Sequence, residues 1–354
     1  MMYIRGGFIV VLLMAAVASF VVFGGEYVDA QEKTAAKPVA SPTPPEEEPE
    51  VYKVETESVS VLFTAQDRNR RLLTNLKQED VKILENGQPQ EVQAFSRQVD
   101  LPLSLAILID TSASQERTLP EEKRAAISFV ESVVRPLKDE VSVISFTGES
   151  TLEQGLTNNV SRLRHAIERV QFVPPSGYVG GGVVVGTPPI SGQNAQVQGS
   201  TAIWDSIWIT SSDVLGPAPE KTRRAIILLS DGYDTFSRKK LDDAVQSALR
   251  AEAVIYSIGI GDNFYDGVDE GSLKKISERT GGRAFFPRDE TQLRQAFQQI
   301  QDEMRSQYLI AYGPTNSALD GSYRKIEIQL VNPTLSKDKV KLTYRQGYFA
   351  KTKK

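Results

Sequence analysis

The sequence has no cysteine and a single histidine, His165, among its 354 residues. The lack of cysteine excludes a disulfide scaffold, thiolate metal sites, a Cys nucleophile and a Cys-linked lipid anchor. One histidine cannot build a His-rich metal site. The chain also lacks a charge excess, since 41 Lys and Arg residues against 45 Asp and Glu residues give a formal charge of −4. This balance excludes a strongly basic protein that binds nucleic acid.

An apolar run of 16 residues, from Phe8 to Phe23, lies near the start of the chain. It is shorter than the ~20 residues that a membrane-spanning helix needs. Arg5 precedes the run, and the sequence then turns polar and small as far as Ala30, a pattern typical of a secretory signal over residues 1–30. We expect cleavage near Ala30, and an uncleaved N-terminal membrane anchor is the alternative. The protein is therefore expected in the periplasm, on the cell surface or in the medium.

Two β-rich segments are predicted, one on each side of a longer central region. Residues 31–56 are rich in Pro and Glu and predict a solvated linker. Residues 57–100 then predict a small β domain of about four strands, with Asn86-Gly87 as a hairpin turn. Residues 306–350 contain three more strand patterns. Since segments of about 40–45 residues are near the limit for folding alone, we expect the two to pack together.

Strand and helix patterns alternate through residues 101–305. Leu105 to Ile109 and Ala225 to Leu229 are continuous apolar runs, as expected for strands buried on both faces. Helix patterns follow, one opening at Pro120, one over Thr201 to Leu215 and one over Leu293 to Met304. This alternation predicts an α/β fold, doubly wound, with a mostly parallel central sheet and helices on both of its faces.

Carboxylates and hydroxyls collect where the predicted strands end. The first strand runs into Asp110-Thr111-Ser112-Ala113-Ser114, a later helix begins near Thr201, and a buried strand ends in Ser230-Asp231-Gly232. Ligands of open parallel sheets bind beyond the carboxyl ends of the strands. Such hard oxygen ligands suit Mg²⁺ or Mn²⁺. The alternative is purely structural: the first motif caps a helix and Asp231-Gly232 forms a turn.

These motifs together resemble the von Willebrand factor type A domain over roughly residues 103–305. The resemblance implies a metal-ion-dependent adhesion site. It assigns hydroxyl ligands to Ser112, Ser114 and Thr201, with Asp110 and Asp231 acting directly or through water. It also implies that a Glu or Asp of a protein partner takes the open coordination position. The flanking β segments resemble those of exported acidobacterial proteins with this domain, a likeness that implies no defined activity.

The predicted function is therefore cation-dependent binding of a protein partner in the cell envelope, for adhesion or scaffolding. One alternative is a structural scaffold that the metal merely stabilises. A Mg²⁺-dependent hydrolase is a further alternative, but no Gly-x-Ser-x-Gly motif is visible and no general base is evident beside the metal. We therefore expect no enzyme activity. The sequence does not indicate an oligomeric state.

Other polar residues near the predicted site have structural interpretations. Residues 174–199, before Thr201, are rich in Gly and Pro and predict a long loop. This loop is either a binding loop that selects the partner or a flexible loop without a role in binding. Asp205, one turn after Thr201, is expected either to support the site by a hydrogen bond, to lie on a plain helix surface or to act as a buried cap. Asp234 is expected to face solvent, and His165 to lie on the polar side of its helix.

Overall fold

A computed structural model describes residues 58–97, 100–174, 200–219, 222–261 and 267–353, together with the backbone of 178–180 and 183–185. The predicted signal and linker lie outside these residues, as does most of the predicted loop 174–199. Residues 55–354 form one compact unit. No described helix is long and apolar enough to cross a membrane.

The described strands follow the chain in this order: β1 Val59–Gln66, β2 Val81–Glu85, β3 Gln88–Gln90, β4 Val92–Arg97, β5 Leu103–Asp110, β6 Glu140–Phe146, β7 Ser150–Thr157, β8 Tyr178–Gly180, β9 Val183–Val185, β10 Arg223–Ser230, β11 Ala253–Gly259, β12 Ala284–Phe285, β13 Tyr308–Tyr312, β14 Tyr323–Leu330, β15 Lys341–Tyr344 and β16 Gly347–Phe349. The helices are α1 Leu119–Val133, α2 Val160–Arg169, α3 Ile203–Ile209, α4 Leu241–Arg250, α5 Glu270–Thr280, α6 Glu290–Arg305 and α7 Pro333–Lys337.

The central sheet has six strands in the order β12-β11-β10-β5-β6-β7. Its strands pair in parallel except for β7, which runs antiparallel to β6 at one edge. Every residue of β5 is buried, as the continuous apolar run predicts. The parallel pairing of β5 with β6 and β10 brings the carboxyl ends of three buried strands to one edge of the sheet.

Helices cover both faces of the central sheet. On one face, α1, α2 and α6 pack against Leu105, Ile107 and Ile109 of β5. On the other face, α3, α4 and α5 pack against Ala106 and Leu108 of the same strand. This confirms the predicted doubly wound α/β fold with a mostly parallel sheet.

Strands from both ends of the described chain form two antiparallel sheets. One has the order β15-β1-β13-β4 and the other has the order β16-β14-β2-β3. Between them lies an apolar core that includes Phe63 and Tyr308, whose rings stack with centroids 5.1 Å apart. In the β2–β3 hairpin, Asn86 and Gly87 have φ angles of 49° and 83°, the left-handed pair that a type I′ turn requires.

A polar contact joins β1 to α6 and the β12 strand region. The carboxylate of Glu303 accepts a hydrogen bond from Gln66 at 3.0 Å and pairs with Arg283 at 2.8 Å. Arg283 also donates to Gln66 at 2.7 Å. Glu303 is buried, and burial raises the pKa of its carboxyl above the usual range. The three side chains satisfy one another, as buried polar groups require.

Candidate metal centre

Asp110 is the last residue of β5, and its side chain is fully buried. One carboxylate oxygen accepts the amide hydrogen bond of Ser112 at 2.9 Å. The other accepts a hydrogen bond from the Ser230 hydroxyl, at the end of β10, at 2.6 Å. The parallel pairing of β5 with β10 places Asp110 and Ser230 side by side, so the fold itself orients the carboxylate.

The two serines of the Asp-x-Ser-x-Ser motif turn their hydroxyls toward each other. The hydroxyl oxygens of Ser112 and Ser114 lie 3.2 Å apart. Ser112 precedes the 3₁₀ turn Ala113–Gln115, and Ser114 lies within it. Ser112 is buried and Ser114 is half-buried. The alternation of the motif therefore directs both hydroxyls to one side.

Thr201 lies over the carboxyl end of β5, held there by its backbone. Its amide donates to the Thr235 hydroxyl at 2.9 Å, and its carbonyl accepts the Thr235 amide at 2.9 Å. The next amide, that of Ala202, donates to the Thr147 carbonyl at 2.7 Å. Thr147 follows β6 and Thr235 follows β10, and β5 lies between those strands. The helix itself begins two residues later than predicted, at Ile203, and from Thr210 to Leu215 it widens into a π-helix.

Asp231 follows β10 directly and is buried. Its carboxylate accepts the Tyr233 amide at 3.0 Å, and its carbonyl accepts the Asp269 amide at 2.8 Å. Gly232, which lies between Asp231 and Tyr233, has a φ of 87°. A Cβ there would come within 2.9 Å of the Asp269 carbonyl oxygen. Only glycine fits this turn, which holds Asp231 at the edge of the sheet.

The charges at this edge favour a cation. Burial raises the pKa of Asp110 to about 7, and the charge of Asp231 raises it further, while hydrogen bonds from Ser112 and Ser230 act against the rise. In the part of the chain that the structure describes, Asp110 forms no ion pair. A buried carboxylate without a positive partner is costly. A divalent cation would supply that partner, so the residues present fit one.

The donor set also limits how a cation would be held. Within the described ranges, no group of three or more His, Asp or Glu side chains is placed to hold a metal ion. Two carboxylates and three hydroxyls are instead brought to one edge: Asp110, Ser112, Ser114, Thr201 and Asp231. A cation there would depend on hydroxyl oxygens and water, ligands that suit Mg²⁺ or Mn²⁺.

Asp234 supports the site, and the expectation that it faces solvent was wrong. Its carboxylate is half-buried and accepts the Ile203 amide at 2.8 Å and the Ser237 hydroxyl at 2.6 Å. Burial raises the pKa of this carboxyl. Asp205, in the first turn of α3, accepts hydrogen bonds from two amides of the loop after β10, those of Arg238 at 3.0 Å and Lys239 at 2.7 Å. The loop after β10 and the start of α3 are thus tied together next to Thr201.

Gln115 is a second supporting residue that sequence reasoning missed. Its side chain is fully buried and donates to the Ser114 hydroxyl at 3.3 Å and to the Ile260 carbonyl at 3.2 Å. Its oxygen accepts the Thr118 hydroxyl at 2.9 Å. It therefore anchors the serine turn to the end of β11. The sequence carries no signal for this contact, because Ile260 is 145 residues away.

Glu122, in the first turn of α1, was also missed. It is fully buried, and neither oxygen of its carboxyl group has a hydrogen-bond partner among the described residues. Burial raises the pKa of Glu122 to about 8, and the charges of Asp110 and Asp231 add to the rise. The nearby Thr118 hydroxyl acts against the rise, but it donates its hydrogen bond to Gln115. The residue gave no signal because acidic side chains are common in the first turn of any helix, where they favour the helix dipole.

The histidine is not part of this centre. His165 is exposed on α2, and its ring lies 3.3 Å from the Glu168 carboxylate. Since the chain has no other histidine, the serines at the sheet edge have no histidine base beside them.

Comparison with known proteins identifies the domain around this site. Two family models described as the von Willebrand factor type A domain match residues 105–234 and 194–299. A search among curated proteins finds no match.

Three similar solved structures illustrate the range of likeness. An aerotolerance-related membrane protein from Bacteroides fragilis is 17% identical with a TM-score of 0.41, over 57% of this chain and 100% of that one. BatB from Bacteroides thetaiotaomicron is 16% identical with a TM-score of 0.40, over 58% and 100%. Proximal thread matrix protein 1 from the mussel byssus, in a structure with a zinc-occupied MIDAS motif, is 20% identical with a TM-score of 0.44. The match covers 62% of this chain and about half, 50%, of the mussel chain.

Proposed function

Since the chain contains a von Willebrand factor type A domain, we propose that it binds Mg²⁺ or Mn²⁺ and, through the ion, an acidic side chain of a protein partner. The hydroxyls of Ser112, Ser114 and Thr201 would be ligands. Asp110 and Asp231 would act directly or through water. With an export signal at residues 1–30, such binding would serve adhesion or scaffolding in the cell envelope.

The observation that carries this proposal is the state of Asp110. Its carboxylate is buried and oriented by two hydrogen bonds, and the nearby charge of Asp231 disfavours its ionisation. A fold that needed only a turn here could use neutral side chains at lower cost. A cation at the same edge of the sheet would offset the free-energy cost of burying these carboxylates.

The composition of the site also bears on the partner. A bound divalent cation supplies an electrophilic centre that attracts an anionic oxygen. The hydroxyls of Ser112, Ser114 and Thr201 would add no negative charge, so the ion would remain a stronger electrophile than one held by carboxylates alone. The backbone contacts of Thr201 and the turn at Gly232 fix these groups before any ion arrives. This chain therefore prepares a position for a carboxylate from outside rather than closing the site itself.

The cation is tested first by thermal melts of the protein stripped with EDTA and then titrated with Mg²⁺ or Mn²⁺. Ligand at about 100 times its dissociation constant should add ~2.7 kcal/mol of stability. We expect a saturable rise of several degrees in the wild type and none in Asp110→Ala. Asp302→Ala, which removes an exposed carboxylate from α6, is the matched control and should respond like the wild type. No rise in the wild type would contradict the proposed ion.

Partner binding is tested with the double variant Ser112→Ala, Ser114→Ala. We expect this protein to melt like the wild type in EDTA, because alanine fits both positions, yet to lose the response to Mg²⁺. Titration of the Mg²⁺-saturated wild type with an Asp-containing peptide should show binding that the Asn counterpart of the peptide lacks. A double variant that no longer folds would instead favour the metal-stabilised scaffold.

A further inference from the structure

Glu122 is a buried acid to which the ligand set above gives no role. Neither of its oxygens has a hydrogen-bond partner among the described residues, and it forms no ion pair with any of them. Buried carboxyl groups of proteins are normally paired or hydrogen-bonded, because an unpartnered one costs several kcal/mol. The burial of the Glu122 carboxyl group is therefore not explained by any contact with a described side chain.

The position of Glu122 points to the cation site. It shares the buried face of α1 with Leu119 and Ala126, which pack in the same core as Ile109 of β5. The helix starts only a few residues after the serine turn. Its first turn therefore lies near the edge of the sheet where β5 ends at Asp110. The charges of Asp110 and Asp231 both oppose ionisation of Glu122, as expected for three acids that share one low-dielectric region.

This arrangement is unfavourable without a cation. Asp110, Glu122 and Asp231 share one buried region. Buried acids usually pair with Lys or Arg, but no described Lys or Arg side chain pairs with Glu122. A glutamine of the same shape, or a leucine, would remove the repulsion. A divalent cation at the sheet edge would attract all three groups and offset their mutual repulsion.

We propose that Glu122 supplies a third negative charge to the cation site, from behind the hydroxyl ligands. The inference rests on the proposed function, since it needs the ion. Glu122 is not assigned as a direct ligand, because no three described acidic side chains are placed to hold an ion together. It is a positioning residue for charge: it acts through the low-dielectric interior, where electrostatic interactions are stronger than in water.

A charge that acts in this way has a measurable signature. The Coulomb energy between Glu122 and the ion is proportional to the charge of the ion. Loss of the Glu122 charge should therefore weaken the binding of a trivalent ion more than that of a divalent one, by the power of 3/2 or more in the affinity ratio, because the cost of ionising Glu122 is the same for both ions. A loss of packing or of local structure would not scale in this manner.

The test compares Glu122→Gln with Glu121→Gln in the full-length protein. Glu121 is the exposed neighbour, so its variant makes the same chemical change in the same helix turn but outside the buried region. We expect Glu122→Gln to lower Mn²⁺ affinity on the order of tenfold and Tb³⁺ affinity on the order of thirtyfold or more. Mn²⁺ binding is measured by calorimetry and Tb³⁺ binding by luminescence. Glu121→Gln should change each affinity less than twofold.

The outcomes separate this inference from the proposed function. If the wild type binds neither ion, the proposed function is wrong. If the wild type binds both ions and Glu122→Gln binds them equally well, or loses the same factor for each, the charge role of Glu122 is wrong and the ion site stands. Glu122→Asp keeps the charge and is expected to retain most of the affinity. An equal loss in Glu122→Asp and Glu122→Gln would also overturn the inference.

Discussion

Individual carboxyl groups decide how this protein responds to pH. The pKa of Asp110 in the folded chain is raised to about 7, and that of Glu122 to about 8, from ordinary values near 4. A raised pKa in the folded state means that folding favours the protonated form. The resulting stability is complete below about pH 4 and is lost as the pH rises through the folded-state values.

We predict that the metal-free protein loses stability between pH 5 and pH 8 and that Glu122→Gln loses less. Each unit of raised pKa corresponds to about 1.4 kcal/mol, so the two proteins should diverge measurably over this range. Thermal melts in EDTA at several pH values measure the difference. Saturating Mn²⁺ should flatten the decline of the wild type, because the ion stabilises the ionised carboxylates. Parallel pH profiles in EDTA would show that Glu122 is not protonated in the folded protein.

Local spacing was enough to predict that Asp110, Ser112 and Ser114 lie close together, because the motif places them within one turn of chain; their role as ligands stays a prediction. It was not enough for Gln115 or Glu122. Their burial depends on elements distant in sequence, such as the end of β11. A polar residue in the first turn of a helix has the same local pattern whether it faces water or a buried ion site.

At the scale of elements, strands buried on both faces were the easiest to predict. The apolar runs of β5 and β10 allow no other interpretation at their length. The edge strand β7 was missed because its residues are exposed or half-buried and show no alternation. The short helix α7 was missed for a similar reason, since none of its residues is buried.

The start of α3 depends on the loop after β10, and this contact gives a prediction. Asp234→Ala removes the acceptor of the Ile203 amide, and an unsatisfied backbone group costs about 1–3 kcal/mol. We expect this loss of unfolding free energy in urea, together with weaker Mn²⁺ binding, because Thr201 is held by the same loop. Asp213→Ala is the control, an exposed acid in the π-helical turn that follows α3. Unchanged Mn²⁺ affinity in Asp234→Ala would show that Thr201 does not depend on this contact.

At the scale of the whole molecule, the two β segments are interleaved rather than adjacent. β13 lies between β1 and β4, and β14 lies between β16 and β2. Composition indicated that short β segments needed partners, but the strand order could not be predicted. Alternating strands are compatible with many pairings, and long-range register is chosen by the packing of cores such as that of Phe63 with Tyr308.

Removal of residues 306–354 should therefore unfold the β sheets on both sides of their shared core. β1 and β4 would lose β13, and Tyr308 would no longer cover Phe63. We expect low soluble yield, or dye binding to exposed apolar surface in the soluble fraction. A chain that lacks only residues 353–354 should behave like the full-length protein. A cooperative melt of the truncated chain at the wild-type temperature would contradict the interleaved arrangement.

The pairing of β1 with β13 also sets the order of events during synthesis. The backbone of Leu76 and the hydroxyl of Tyr308, which hydrogen-bond in the folded protein, are 232 residues apart. At about 5–20 residues per second, a ribosome needs roughly 12–46 seconds to make that length. Throughout this time neither of the two strands that pair with β1, namely β13 and β15, has been made. The central sheet can close in the interval, so β1, the first described strand, is among the last to find its partners.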